Sequence, residues 1–275
     1  MIRWITTLLG VIERCSVIMR ITFGVSSGLC ELLEDQGIVI RPAAKESMMT
    51  SGILIVDSTT FYERGSIWTR DNKPVSLLKH SYCRSPLGGR ITLGRYCSIG
   101  RNVRIMGFRH PIERLTHSPV TYENRKSADW HHLGNLNSSI PVKADVSRVK
   151  VGHDCWIGEG ALLKPGIVIG NGVVIGANCV VTKDLDHYSV VVGNPARVVR
   201  KRFVQGVIRL LEESRWWEFY LVKIPEIRFD TSPERLVAEL VGKESQFPRD
   251  VMREWNLVEM LESHGFERDG LRTDR

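Results

Sequence analysis

Apolar residues recur at every sixth position in two blocks of the chain. The lead residues are Leu87, Leu93, Ile99 and Ile105 in the first block and Val151, Ile157, Leu163, Ile169, Ile175 and Val181 in the second. A second apolar or small set follows four residues later: Ile91, Cys97 and Val103, then Cys155, Ala161, Ile167, Val173, Cys179 and Leu185. Glycine directly follows most of the lead residues.

A period of six matches neither the 3.6-residue period of an α-helix nor a heptad repeat. A unit with one inward aliphatic residue, one small inward residue and a glycine bend predicts a short strand followed by a corner. Repeats of this length are typical of parallel β-helices, in which three units close one triangular coil. Coils of that kind stack about 4.8 Å apart, so that inward side chains form ladders. We therefore predict an all-β core that is a parallel β-helix over residues 51–199.

The repeat is interrupted once, by a long loop excursion over residues 107–144. This excursion begins with FRHPIERLTHSPV, which contains His110 and His117, and it continues to His131 and His132. Long irregular loops in compact domains usually carry function. His153, in contrast, falls within a repeat unit, where we expect it to point outward at a corner.

Residues 1–50 lack the repeat, and we predict that they are partly helical. The apolar run at the N-terminus is interrupted by Arg3, Glu13, Arg14 and Arg20. Its uninterrupted pieces are shorter than the 18 or more residues of a membrane helix, so no integral membrane span is predicted. An amphipathic helix that packs on the domain is the favoured interpretation, and contact with a membrane surface is the alternative.

The period changes again after Pro195. The stretch RFVQGVIRLLEESRWWEFYLVK spaces its apolar residues as one face of a helix. A second helix is indicated by SPERLVAEL, because Ser232 can serve as the N-cap and Pro233 as the first helical residue. We predict that residues 200–275 form a C-terminal helical extension that caps the open end of the β-helix, since repeat arrays need capped ends.

The formal net charge of +7 favours an anionic partner: nucleic acid, a membrane surface or a cofactor that carries phosphate. A merely basic surface is the alternative. No stripe of basic residues is interleaved with aromatic residues, so a nucleic-acid partner is not predicted. The six cysteines form no C-x-x-C pair, which argues against a zinc site. We expect Cys97, Cys155 and Cys179 to be buried free thiols in a protein of the reducing cytoplasm.

The second block, from VGHDCWIGEG to GNPARVVRKRF, resembles the hexapeptide-repeat acyltransferases. The order HPIERLTHSPV, DCWIG and GNPARVVRKRF is similar to the xenobiotic acyltransferase branch, which includes CatB-type chloramphenicol and streptogramin acetyltransferases and polysaccharide O-acetyltransferases. This resemblance covers roughly residues 85–240. It implies a left-handed coil, a homotrimer with active sites between neighbouring prisms, and the transfer of an acyl group from acetyl-CoA to a hydroxyl.

The resemblance also implies the residues of the site. His110 aligns with the family's general base through GFRHP. The residues aligned with the family's coenzyme A contacts, together with the basic end beside them, are Trp156, Gly176, Ala177, Thr182, Lys183, Arg197, Arg200 and Lys201. The acceptor would be an antibiotic-like alcohol or a sugar, and neither a metal nor a covalent enzyme intermediate is expected.

Other interpretations stay open at this point. His110 can be a structural turn residue before Pro111, or the base can be His117. Repeat geometry alone accounts for Gly176 and Ala177, and the arginines can form a solvated basic face. The chain can also be a β-helix scaffold without catalysis or a carbonic anhydrase of the γ type, although His110 and His117 do not match the paired histidine spacing of that class.

Overall fold

The computed structural model describes residues 19–57, 60–69, 74–107, 109–118, 147–225, 227–228, 230–250 and 254–273 of the 275-residue chain. Most of these residues build a three-sided stack of short parallel strands. We number its sides face 1, face 2 and face 3, in the order in which the chain visits them within one coil.

Face 1 contains five strands in parallel register. They are β4 (Phe61–Glu63), β6 (Ser76–Leu77), β8 (Ile91–Leu93), β11 (Val149–Val151) and β14 (Val168–Ile169). Face 3 is shorter and consists of β10 (Arg104–Ile105), β13 (Leu162–Leu163) and β16 (Val180–Val181).

Face 2 is the longest side of the stack. Its parallel strands are β2 (Val39–Ile40), β5 (Ile67–Trp68), β7 (Tyr82–Arg84), β9 (Ser98–Arg101), β12 (Trp156–Ile157), β15 (Val174–Ile175) and β17 (Ser189–Val192). One antiparallel strand, β18 (Arg197–Lys201), pairs with β17 and ends this face.

Inward aliphatic residues form ladders along each face. Leu93, Val151 and Ile169 are paired on face 1. On face 2 the ladder is Ile99, Ile157, Ile175 and Val191, and on face 3 it is Ile105, Leu163 and Val181. All of these are buried except the partly buried Ile105. The six-residue period therefore predicted the parallel stack and its core correctly.

The predicted buried thiols are also confirmed. Cys97, Cys155 and Cys179 are free and buried, at 0–1% exposure, in the interior of the coils.

Three corners join the faces. Corner 1–2 includes Arg95, Tyr96, His153, Asp154 and Tyr188, corner 2–3 includes Asn102, Glu159, Gly160, Ala177 and Asn178, and corner 3–1 includes Gly166, Thr182 and Lys183. Several corner residues have left-handed backbone conformations, among them Tyr96, Asn102, Asp154, Asn178 and Tyr188. The long excursion leaves the stack at corner 3–1, between β10 and β11. Residues 108 and 119–146 of that excursion, with His131 and His132, lie outside the described residues.

A small antiparallel sheet brings the two ends of the described chain together. In it, β1 (Met19–Gly24) lies between β3 (Ile53–Asp57) and β20 (Arg268–Thr273). Two helices, α1 (Ser27–Asp35) and α2 (Pro42–Ser51), flank β2 in sequence. Because β2 already pairs with β5, the stack begins ahead of residue 51, where the repeat had placed its start.

The C-terminal extension contains α3 (Gln205–Ser214), α4 (Pro233–Leu240) and α5 (Leu257–Ser263). Ser232 caps α4, as predicted, by accepting a hydrogen bond from the amide of Arg235 at 3.3 Å, and Pro233 is the first helical residue. None of the helices in the described ranges is long and apolar enough to cross a membrane.

The C-terminal extension does not lie where it was predicted. The prediction placed it over the open end of the β-helix, whereas it packs along the side of the stack. Its side chains contact corner 1–2 over several coils: Trp216 lies against Tyr96, and the Glu212 carboxylate accepts from the side-chain Nδ2 of Asn171 at 2.9 Å. The strand β19 (Glu254–Asn256) continues the same path and pairs with β4 of face 1. The reason is a second apolar cluster, which joins Tyr188 of the corner to Leu211, Trp217 and Leu240 of the extension.

A buried arginine fastens the extension to the coils. Arg95 is fully buried; its Nε donates to Glu63 at 2.8 Å, and its Nη1 donates to the Trp217 carbonyl at 2.8 Å. Its Nη2 donates to the Asp250 carbonyl at 2.9 Å, and Lys79 pairs with the Asp250 carboxylate at 2.7 Å. Charges at this depth are stable only when paired and hydrogen-bonded.

Candidate active site

His110 lies in an exposed turn at the start of the excursion. Its Nδ1 is 3.0 Å from the carbonyl oxygen of His117. Because a carbonyl oxygen can only accept, Nδ1 must carry the proton in this bond, and the lone pair of the neutral ring is then on Nε2. Pro111 is buried, and its carbonyl accepts from the Arg114 amide at 3.3 Å, which closes the turn.

His117 contributes to this arrangement through its backbone. The two imidazole rings meet edge to face with centroids 6.0 Å apart. The hydrogen bond that orients the His110 ring, however, comes from the main chain of His117. The two histidines, which the sequence left as alternatives for the base, therefore differ in what they contribute to the turn. The His110 ring is oriented by the hydrogen bond, and His117 supplies the carbonyl oxygen that accepts it.

Thr182 and Lys183 follow β16 at corner 3–1, the corner at which the excursion leaves. Both residues are exposed. Of the residues predicted to contact coenzyme A, these two lie at the corner from which the His110 loop starts.

Gly176 and Ala177 lie at or near corner 2–3. The amide of Gly176 donates to the Val191 carbonyl at 2.9 Å, so it is part of the coil's own hydrogen bonding. Ala177 is exposed and lines an open cleft of about 900 Å³ with Glu159, Asn102 and Arg104. A Cβ at Gly158 would approach the Ala177 amide to 2.6 Å, which explains why the coils stack so closely at this corner.

Trp156 stands on the outside of face 2 and is 57% exposed. The strand register places it in a column with Ser98, Val174 and Val190, and Arg200 continues that column on β18. An aromatic ring and a cation in one exposed column form a suitable surface for a long molecule with an anionic end.

The two predicted arginines are also on the outside of β18. Arg197 pairs in register with Val192 and Arg200 with Val190, and both are exposed. Within the described part of the chain each donates only to a backbone carbonyl, Arg197 to Ala196 at 3.0 Å and Arg200 to Lys201 at 3.2 Å. Over the described ranges neither guanidinium has a carboxylate partner, so both charges are available to an anion.

Lys201 has different surroundings. It lies opposite the buried Ser189, and its Nζ donates to the Ser189 hydroxyl at 3.0 Å and to the His187 carbonyl at 2.8 Å. These bonds tie β18 to the last coil. Lys201 is therefore on the opposite side of the strand from Arg197 and Arg200.

Apart from Lys201, the predicted residues are thus assembled in two groups. Face 2 and corner 2–3 hold Trp156, Gly176, Ala177, Arg197 and Arg200, whereas corner 3–1 holds Thr182, Lys183 and the root of the His110 loop. Face 3 lies between the two groups. In the part of the chain that the structure describes, no cluster of three or more histidine, cysteine or acidic side chains is arranged to hold a metal ion.

Sequence reasoning missed the environment of corner 1–2. The His153 ring stacks on Trp217 with centroids 4.7 Å apart, and its Nδ1 accepts from the Arg95 amide at 3.0 Å. Burial, together with the nearby positive charges of Arg95 and Arg215, lowers the pKa of His153 to about 4. The residue is at a corner, as expected, but the extension covers it, and no local signal connects it to Trp217.

A family model described as bacterial transferase hexapeptide (six repeats) matches residues 148–183. A probable macrolide acetyltransferase of Lysinibacillus sphaericus is 30% identical over 162 residues, which are 58% of this chain and 87% of that protein. A chloramphenicol acetyltransferase of Agrobacterium fabrum is 51% identical over 131 residues, which are 46% of this chain and 59% of that protein.

The match spans 62% of the length of the chloramphenicol acetyltransferase of Klebsiella aerogenes, so it covers only part of such relatives. Among solved structures, a maltose O-acetyltransferase from Clostridium difficile 630 is 31% identical over 44% of this chain and 64% of that chain, with a TM-score of 0.29.

Proposed function

Because the chain belongs to the hexapeptide-repeat acetyltransferases, in the branch related to chloramphenicol acetyltransferases, we propose that it transfers an acetyl group from acetyl-CoA to a hydroxyl group. The observation that carries this proposal is the bond between His110 Nδ1 and the His117 carbonyl. It orients an imidazole on an exposed loop and leaves the lone pair on Nε2, which is the state a general base needs.

The reaction needs few groups. The Nε2 of His110 takes the proton of the acceptor hydroxyl as its oxygen attacks the thioester carbonyl carbon. The tetrahedral intermediate then collapses, the carbon–sulfur bond breaks, and the imidazolium returns the proton to the sulfur of coenzyme A. The balance closes with an acetyl ester, free coenzyme A and neutral His110, so no enzyme nucleophile is required.

Acetyl-CoA would lie along face 2 and corner 2–3. Arg197 and Arg200, which lack carboxylate partners over the described residues, suit its phosphates. Ala177, on the cleft at corner 2–3, would border the pantetheine arm, and Trp156 would give an apolar contact on the open face.

The proposal includes a homotrimer of left-handed prisms: the handedness is that of the family, and the trimer is favoured by the two groups of site residues. Within one chain, face 3 separates the His110 loop, Thr182 and Lys183 from Trp156 and Ala177. Two neighbouring copies packed around a threefold axis could set corner 3–1 of one against corner 2–3 of the next. Light scattering should give three times the chain mass; a monomer with full activity would contradict this arrangement.

The acceptor is a hydroxyl compound of the antibiotic-like or saccharide class. Chloramphenicol and maltose are the first two acceptors to test, because relatives are named for them. Release of coenzyme A, followed with a thiol reagent, would report turnover of either one. Titration calorimetry with acetyl-CoA is an independent check, because a scaffold without catalysis should not bind it.

The decisive experiment compares His110→Ala with His117→Ala. The first removes the base, and we expect kcat to fall by about 10²–10⁴-fold with unchanged affinity for coenzyme A. The second keeps the carbonyl that orients His110, so its kcat should change much less. If the two results are exchanged, the base is His117; if both variants keep full activity, the acyl-transfer mechanism proposed for this loop is wrong.

A further inference from the structure

A second cavity lies at another corner of the prism from Ala177 and Lys183. It has a volume of about 340 Å³ and lies between corner 1–2 and the C-terminal extension, with one side open to solvent. In a three-sided prism, corner 1–2 is opposite face 3 and is a different corner from those of Ala177 and Lys183. Corner 1–2 borders face 2 at its other edge, and none of the residues in the two acyl-transfer groups lines the cavity.

The walls of this cavity are mainly aromatic and aliphatic. Tyr96 and Tyr188 contribute from the coils; the extension contributes Leu211, Trp216, Leu221, Ile227 and Leu236. A volume of a few hundred Å³ with apolar walls and a few polar groups is typical of sites for small molecules. The Tyr188 ring is packed tightly behind this wall, because Gly172 has φ +66° and a Cβ there would overlap the ring.

The polar groups of the cavity centre on Arg202. Its guanidinium lies over the rings of Phe203 and Tyr188, with 5.0 Å and 5.6 Å to their centroids, which holds it flat. Its Nη1 donates to the Asp154 carboxylate at 2.7 Å and to the Gly172 carbonyl at 3.0 Å. Asp154 thus occupies only one of the three nitrogens.

The other edge of Arg202 has no acceptor among the described residues. Nε and Nη2 form the side-on fork of a guanidinium, whose two parallel N–H groups match the two oxygens of a carboxylate. Arg228 also lines the cavity, at an exposed position 3.9 Å from Asp230. Of the charged lining residues, two are cationic and one, Asp154, is acidic.

We propose that this cavity binds a small monocarboxylate with an aromatic or branched apolar body, its carboxylate on the Nε–Nη2 fork of Arg202 and its body between Trp216, Leu211 and Leu236. The site is separate from the acyl-transfer cleft and does not depend on the acyl-transfer reaction.

The test uses naphthalene-2-carboxylate and its uncharged isostere naphthalene-2-carboxamide, titrated calorimetrically into the full chain. The carboxylate should bind at least about tenfold more tightly than the amide, because one charge-assisted pair is worth this factor or more. Saturating coenzyme A should leave both affinities unchanged. No binding of the carboxylate, equal binding of the two probes, or displacement by coenzyme A would each overturn the proposal.

Two variants locate the site. Arg202→Gln should weaken carboxylate binding about tenfold and remove the preference over the amide. Leu236→Trp, which fills the cavity and leaves the Arg202–Asp154 pair intact, should weaken both probes. The control is Arg209→Gln, an exposed arginine on α3 outside the cavity, which should bind like the parent chain. If Leu236→Trp folds and binds both probes normally, the proposal is wrong even where Arg202→Gln fails to fold.

Discussion

Trp156 and Arg200 lie in one outward column of face 2, with Val174 and Val190 between them. Three strand spacings separate the two residues, which is about 14 Å along the axis of the stack. A molecule that lies along this column can therefore contact the exposed Trp156 ring with one part and the Arg200 guanidinium with another. Over the described residues this guanidinium has no carboxylate partner.

We predict that Arg200 contributes to recognition of a coenzyme A phosphate. Arg200→Ala should weaken coenzyme A binding by about 1–3 kcal/mol, because a charge-assisted bond is lost. The loss should appear in KM for acetyl-CoA with little change in kcat, since the phosphates are remote from the reacting carbonyl. Calorimetry with coenzyme A and with dephospho-coenzyme A would show which phosphate is involved. Unchanged affinity for both, as expected for the control Arg209→Ala, would mean that this arginine is merely solvated.

A second prediction concerns the buried Arg95. Arg95→Met should lower the free energy of unfolding by about 3–5 kcal/mol, because the buried Glu63 would lose its cationic partner and Asp250 would keep only Lys79. Chemical denaturation measures this loss, and limited proteolysis should show earlier cleavage in the C-terminal extension, which Arg95 holds through the Trp217 and Asp250 carbonyls.

The matched control for that prediction is Arg209→Met, which removes an arginine that is 71% exposed and should change stability by less than about 1 kcal/mol. Adding Glu63→Gln to Arg95→Met should recover part of the loss. If Arg95→Met and Arg209→Met were equally stable, the buried network around Arg95 would not hold the extension.

A third prediction pairs two glycines. Gly172→Ala should cost about 2–4 kcal/mol, because the residue has φ +66° and the new methyl group would overlap the Tyr188 ring. Gly206→Ala, in α3 with no atom within 4 Å of the added methyl, should be neutral or stabilising by up to about 1 kcal/mol. Thermal melts of the two variants side by side test this; a Gly172→Ala chain as stable as the parent would mean that the tyrosine is not held at this corner.

The fourth prediction is a pH dependence of stability that comes from His153. Its pKa is about 4 in the folded chain, below the ordinary value of 6.5 that it regains on unfolding. Between these values the unfolded state binds more protons, so the stabilisation from neutral His153 is present above pH 6.5 and is lost as the pH falls towards 4. The loss should reach roughly 1–3 kcal/mol.

The comparison variant for His153 is His153→Gln, which cannot titrate. Its stability deficit against the parent chain should be larger at pH 7.5 than at pH 4.5, measured by denaturation at each pH. A deficit that is constant, or that grows as the pH falls, would contradict the buried neutral state of His153.

Part of the architecture could be predicted from sequence because it follows from a local rule. Each six-residue unit places Ile157, Ile175 or a similar side chain inward, and stacking such units buries them in ladders. The start of the stack was placed too late because β2, with only Val39 and Ile40, carries no repeat. The cap of α4 was correct since Ser232 and Pro233 act within one turn.

The candidate site was predictable only in its list of residues. The motif order named His110, Trp156, Ala177 and Arg200, but no period indicates that His110 is oriented by a main-chain carbonyl. The same holds for the side of β18 that Arg197 and Arg200 share. Residues three apart on a regular strand point to opposite sides, and the bulge in the pairing of β18 with β17 brings these two to the same side.

By itself, the sequence determined the coil, its inward ladders and its free thiols, because each depends on residues a few positions apart and on the repeated burial of the same side chains. Only the tertiary structure decided where the C-terminal extension lies, how Arg95 and His153 are buried, and that Arg202 borders a cavity. These features join residues far apart in the chain, and their energy comes from desolvation and packing between surfaces that exist only after the coils have stacked.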